Sequence, residues 1–175
     1  MQERFGPSAI RLFAAFVPFG FGLIAAAIAN FPVSLSGGIL PTPMLAMMPV
    51  YFWCLVRPDL MPVWAAFLVG VAEDLLCGGP PGIWGAAFVA CYAFVDRERD
   101  ALAGLAGYGA ILGFAAAMLV TGGTAYALVA LYFVKLPPVA PLIAGFAVNI
   151  FWYIPALWLM NAVQRRVIGP LRSDI

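Results

Sequence analysis

The stretch from Ala101 to Val134 runs 34 residues without one charged side chain, and it constrains the fold more than any other feature. A water-soluble domain has no place for such a run. In lipid every backbone N–H and C=O has to be satisfied within the chain, which leaves only helices or a closed barrel. The run lacks the apolar–polar alternation of barrel strands and therefore reads as helix. The remainder agrees: 65% of the 175 residues are apolar, 10% are charged, and mean hydropathy is +1.01. Soluble domains average about 45–50% apolar and about 25% charged. The sequence thus predicts an all-α integral membrane protein, one transmembrane domain over residues 1–175. A net charge of +1 without a long basic run argues against nucleic acid as a partner.

Breakers and charges divide the chain into spans at about residues 12–30, 44–56, 60–77, 83–95, 101–134 and 139–163. The first follows Glu3, Arg4 and Arg11, but it exceeds a signal-peptide core and lacks a clear small-x-small cleavage site, so it reads as a span. Residues 101–134 would extend about 51 Å as one helix against a hydrocarbon core of about 30 Å. Two crossings joined near Thr121-Gly122-Gly123-Thr124, or one tilted helix kinked there, would accommodate them. Arginine placement separates these readings. With six spans and a cytoplasmic N-terminus, Arg4, Arg11, Arg57, Arg97, Arg99, Arg165, Arg166 and Arg172 lie inside and only Lys135 outside. Seven spans would export the last three arginines, against the positive-inside tendency. The sequence therefore predicts a six-helix bundle with a kink at Gly122-Gly123 and both termini cytoplasmic.

Catalytic groups are scarce. The chain has no histidine, no phosphate-binding Gly-Lys-Ser/Thr loop, and three cysteines (Cys54, Cys77, Cys91) without metal-ligand spacing. It reads as a non-enzyme that implies no cofactor and no metal. Small residues four apart (Gly22 and Ala26, Ala66 and Gly70, Gly109 and Gly113) suit close helix packing, either within the chain or across a homodimer. Trp53, Trp64, Trp84, Trp152 and Trp158 lie near span ends, as interfacial anchors do.

Two acids, Glu73 and Asp74, fall inside an apolar span. Counted from Leu60, Asp74 sits about 21 Å up a core of about 30 Å. Consecutive helical residues point about 100° apart, so the two carboxylates face different neighbours, while Gly70 shares a face with Asp74. A glycine there opens a slot through which another helix or a ligand reaches the carboxylate. Intramembrane acids mark functional sites by default; the structural alternative is that they hydrogen-bond the turn from Gly78 to Gly82 or reach the outer interface. Arg57 and Asp59 bracket a proline and are placed to pair. The alternating charges from Asp96 to Asp100 read as a solvated cytoplasmic loop, and Asn149 as an interhelical hydrogen-bond partner.

Arg57-Pro58-Asp59, then Phe67-Leu68-Val69-Gly70-Val71-Ala72-Glu73-Asp74-Leu75-Leu76, a Gly/Pro turn, and Gly82 with Gly85-Ala86-Ala87 resemble MreD, the rod shape-determining membrane protein family of bacteria. The double proline Pro80-Pro81 departs from the pattern by stiffening its loop. The resemblance implies an inner-membrane connector of the cell-wall elongation machinery. Its partners there would be MreC, a single-span protein, and directly or indirectly MreB, RodA and a penicillin-binding transpeptidase. It also implies a fold similar to the substrate-binding subunits of energy-coupling-factor transporters. Partner-binding candidates are then Asp74, Gly70, Glu73 and Gly82, with Arg57, Asp59, Arg97 and Arg99 at the inner face. The other reading is a small-solute-binding subunit of a vitamin-type transporter.

Overall fold

The computed structural model describes residues 7–31, 42–104 and 108–168, and every regular element among them is helical. The helices are α1 (Pro7–Ala29), α2 (Met47–Val56), α3 (Val63–Cys77), α4 (Ile83–Arg97), α5 (Arg99–Ala103), α6 (Tyr108–Phe133) and α7 (Ala140–Val163); a π turn, Gln164–Ile168, ends α7. Two stretches, Gly109–Phe133 and Ala140–Arg166, are long and apolar enough to cross a membrane. Arg4 and Arg172 lie outside the described residues.

Local chemistry sets the boundaries. Arg57 leaves the helical region (φ −144°, ψ 71°) because Pro58 follows it, and α2 stops there. Pro62, extended at ψ 160°, sits just before the first turn of α3. The third span therefore begins as helix at Val63 rather than Leu60. At its far end α6 stops where Val134 takes a left-handed φ of 51°, and Lys135 N–H donates to the Ala130 carbonyl at 3.1 Å. A β-branched residue is strained in that conformation. Val134→Gly is expected to raise stability by about 1 kcal/mol, read as a higher unfolding midpoint in detergent.

One boundary expectation is corrected. The charged segment Asp96–Asp100 is not a loop: α4 continues to Arg97 and α5 starts at Arg99, because no glycine or proline interrupts residues 86–103 and Asp96 pairs with Arg99 one turn on at 2.9 Å. Helix runs through Gly122-Gly123 without a break, from Tyr108 to Phe133. Thr121 and Thr124 donate their hydroxyls back to the Ala117 and Val120 carbonyls, each at 2.8 Å, sharing those acceptors with the helix ladder. The break in this apolar stretch comes earlier, where α5 ends ahead of Gly104.

The short α2 is the centre of the bundle. Met47 through Cys54 are all buried, and α2 packs on α1, α4 and α7 while α3 and α6 flank α4. Tyr51 meets Phe114 of α6 and Tyr153 of α7 edge-on, and those two rings stack at 3.9 Å. Trp53 belongs to this core. It is fully buried and donates its indole N–H to Gln164 Oε1 at 3.3 Å, which corrects its reading as an interfacial anchor. Trp64 and Trp158 do face outward.

The outer surface is apolar as well: Leu75, Leu112, Leu131, Ile143, Phe151 and Trp158 are 65–77% exposed. The two ends differ. At one, α5 meets the end of α2 and Trp53 meets Gln164 beside Arg165 and Arg166. At the other lie Asn30, the turn from Gly78 to Gly82, and the Met44–Asn149 contact.

Candidate functional site

The α3–α4 hairpin brings together three of the residues singled out by sequence, Gly70, Asp74 and Gly82. Gly70 is where the helices touch. A Cβ there would sit against the Trp84 carbonyl oxygen, 2.6 Å from its carbon and 2.7 Å from Gly85 Cα. The helix that fills the slot beside Gly70 is thus α4 of this chain. Four residues on, the buried Asp74 carboxylate accepts from three backbone N–H groups at the start of α4: Gly82 at 2.8 Å, Trp84 at 3.0 Å and Gly85 at 3.3 Å.

Gly82 supplies no side-chain cap, so Asp74 satisfies the orphan N–H groups of α4 from the neighbouring helix and places negative charge at its positive end. The Asp74 carbonyl in turn accepts from Gly78 and Gly79 and closes the end of α3. Gly78 (φ 68°) and Gly82 (φ 98°) occupy left-handed conformations, which is why the turn carries glycine at both positions. Of the two sequence readings, hydrogen bonding to this turn describes Asp74.

Glu73 points elsewhere, as the helical spacing requires. It is buried against α1, where Oε1 accepts from Asn30 Nδ2 at 2.9 Å and Oε2 has no partner among the described residues. Sequence reasoning did not single out Asn30, although a lone polar residue closing the first apolar run is a usable signal. Gly22 seats its α-carbon against Val69 on the same α1–α3 seam, so the Gly22 and Gly70 pairs pack within the chain.

No protein-family model, curated protein or solved structure matches the chain.

The remaining partner-binding candidates, Arg57, Asp59, Arg97 and Arg99, lie at the opposite end and do not join this cluster. Arg57 and Asp59 form a two-pronged pair, Nε to Oδ1 at 3.0 Å and Nη2 to Oδ2 at 2.9 Å. The guanidinium holds Asp59 below its ordinary carboxylate range. A depressed folded value means that the pair stabilises the fold above the usual Asp range and stops doing so as pH falls through the folded value. Asp59 is 58% exposed, so Asp59→Asn is expected to cost under about 1 kcal/mol at neutral pH. The wild type should lose that same increment on acidification while the variant does not, a comparison made by thermal unfolding across pH.

Arg99 pairs with Asp96 and also donates Nη2 to the Cys54 carbonyl at 3.4 Å, capping the last turn of α2. Arg97 is outward and only loosely set beside Glu98 at 3.6 Å. Asn149 bridges a loop rather than a helix: Oδ1 accepts from Met44 N–H at 2.7 Å, and Nδ2 donates to Gly145 of its own helix.

A cavity of about 160 Å³ lies beside Asn149, lined by Met44, Met47, Trp84, Met118, Leu142 and Phe146 among others. Its Thr121 and Asn149 groups are already engaged with the chain's backbone. Among the described residues no group of three or more Cys, Asp or Glu side chains is placed to hold a metal ion.

Proposed function

We propose that this chain is a six-span bacterial inner-membrane protein of the MreD kind, a non-enzymatic connector that binds an MreC-like single-span partner in the wall-elongation machinery. The observation that carries the reading is the α3–α4 hairpin, where the residues of the resemblance act as one unit. Glycine at 70 admits the α4 backbone, the acid at 74 caps that helix, and glycine at 82 launches it. Each motif position therefore has a physical reason to be what it is.

The membrane placement rests on the apolar outer faces of α3, α6 and α7, which water would not tolerate over so large an area. It rests also on the clustering of Arg99, Arg165 and Arg166 at one end, the cytoplasmic end by the positive-inside tendency. The enclosed α2, about 15 Å long, need not meet lipid at all. An outward reporter fused at the C-terminus should be silent, and activity there would sink the six-span topology.

Because Gly70 and Asp74 face α4, the docking surface we assign to the partner helix is the opposite side of α3, where Trp64, Leu68 and Leu75 are exposed. Leu68→Trp and Leu75→Trp should each reduce co-purification of MreC several-fold without moving the unfolding midpoint. Undiminished recovery with both would count decisively against this surface. Depletion in a rod-forming host should yield rounded cells, and unchanged rods would argue against the function. The transporter reading would use the cavity beside Asn149, where Thr121 and Asn149 are engaged with the backbone and Thr42 is left as a polar side chain for a solute to grip.

A further inference from the structure

A second cavity, about 360 Å³, lies at the basic end and is lined by Trp158, Asn161, Ala162, Arg165 and Arg166. These positions recur at three- and four-residue spacing and so form one face of the end of α7. The face is fixed in rotation, because the buried Gln164 between them is pinned inward by the Trp53 indole. The π turn at Gln164–Ile168 is a helix distortion that recurs at functional sites.

Among the described residues no acid compensates the charge at this site. Asp59 pairs with Arg57, Asp96 with Arg99 and Glu98 with Arg97, while Asp100 on α5 makes no ion pair with either of the cavity's arginines. Neither Arg165 nor Arg166 pairs with an acid among the described residues, and both are exposed. Asn161 donates its amide to the Leu157 carbonyl at 2.9 Å, so the two guanidiniums are the cavity's cationic donors. Immediately along the helix the surface turns apolar, with Ile154, Trp158 and Leu159 outward.

From this juxtaposition we propose that the end of α7 is a binding site for the headgroup of an anionic phospholipid, a reading that rests on the membrane placement above. Arg165 and Arg166 present planar donor forks to the phosphate. Trp158 sits at headgroup depth, and the acyl chains run down the outward face of α7. A free phosphate would use the guanidiniums but have no need of the apolar continuation.

The test uses the full chain reconstituted in phosphatidylcholine vesicles. Quenching of tryptophan emission by dibrominated phosphatidylglycerol is compared with quenching by dibrominated phosphatidylcholine, and Trp158→Phe isolates the contribution of that ring. The wild type should prefer phosphatidylglycerol by about fivefold for each arginine. The double variant Arg165→Gln/Arg166→Gln should abolish the preference, Arg97→Gln should leave it intact, and added inorganic phosphate should not compete. Equal quenching by both lipids, or an equal loss with Arg97→Gln, would overturn the site while leaving the membrane reading in place. Failure to enter either vesicle would overturn the membrane reading and the site together.

Discussion

Gly70→Ala should lower the unfolding midpoint more than any other single-methyl change in the molecule. The added Cβ would meet the Trp84 carbonyl and Gly85 Cα, which are backbone atoms and cannot rotate aside. α3 and α4 must part, and overpacking of this kind costs about 1–3 kcal/mol. The upper end is expected because separation also lengthens the hydrogen bonds from Asp74 to Gly82, Trp84 and Gly85.

The matched control is Gly123→Ala on α6, where nothing lies within 4 Å of the new methyl. Helix propensity alone should make that change stabilising by up to about 1 kcal/mol. Thermal unfolding in one detergent, read side by side, distinguishes the two: equal midpoints for both variants would show that the α3–α4 contact is not close.

Asp74→Ala is the second large effect. It leaves the Gly82, Trp84 and Gly85 N–H groups without their acceptor, and Asp74 is only 1% exposed. An unsatisfied buried donor costs about 1–3 kcal/mol, so a loss of several kcal/mol follows unless water enters. Asp74→Asn keeps one acceptor oxygen but loses the charge and should fall between wild type and alanine. Backbone hydrogen exchange gives a readout specific to the mechanism. Protection at Trp84 and Gly85 should collapse in the alanine variant while the α6 amides stay slow. Uniform loss across the bundle would mean that Asp74 acts through global packing and not through this cap.

How much of this was legible beforehand depends on how local each cause is. The divergence of Glu73 and Asp74 follows from helical geometry alone, and the Arg57–Asp59 pair spans a single proline turn, so both could be read from neighbouring letters. The partner of Asp74 was within reach too, since the acceptor and its donors are separated by one short turn. One helix through Gly122-Gly123 was legible from arginine placement, whereas the start of α6 at Tyr108, seven residues into the apolar stretch, was not. Two adjacent glycines weaken a helix in water, but where backbone groups have no other partner the helix keeps them. Trp53 was placed at an interface because its position near a helix end fits that tendency. Its actual partner, Gln164, is 111 residues away, and no pattern in the sequence joins them. Asn149 was recognised as a hydrogen-bonding residue but not as the tether of Met44, for the same reason of distance.

The enclosure of α2 has a consequence for biogenesis. α2 is made long before α7, yet α7 is one of its walls, and Tyr51 and Trp53 find Tyr153 and Gln164 only when α7 and the π turn have been made. Until then its ten residues have no complete protein surroundings, and in the membrane placement proposed above they are too few to cross unaided. Assembly must therefore include a closing step, in which α7 seals a bundle whose innermost member has been waiting for it.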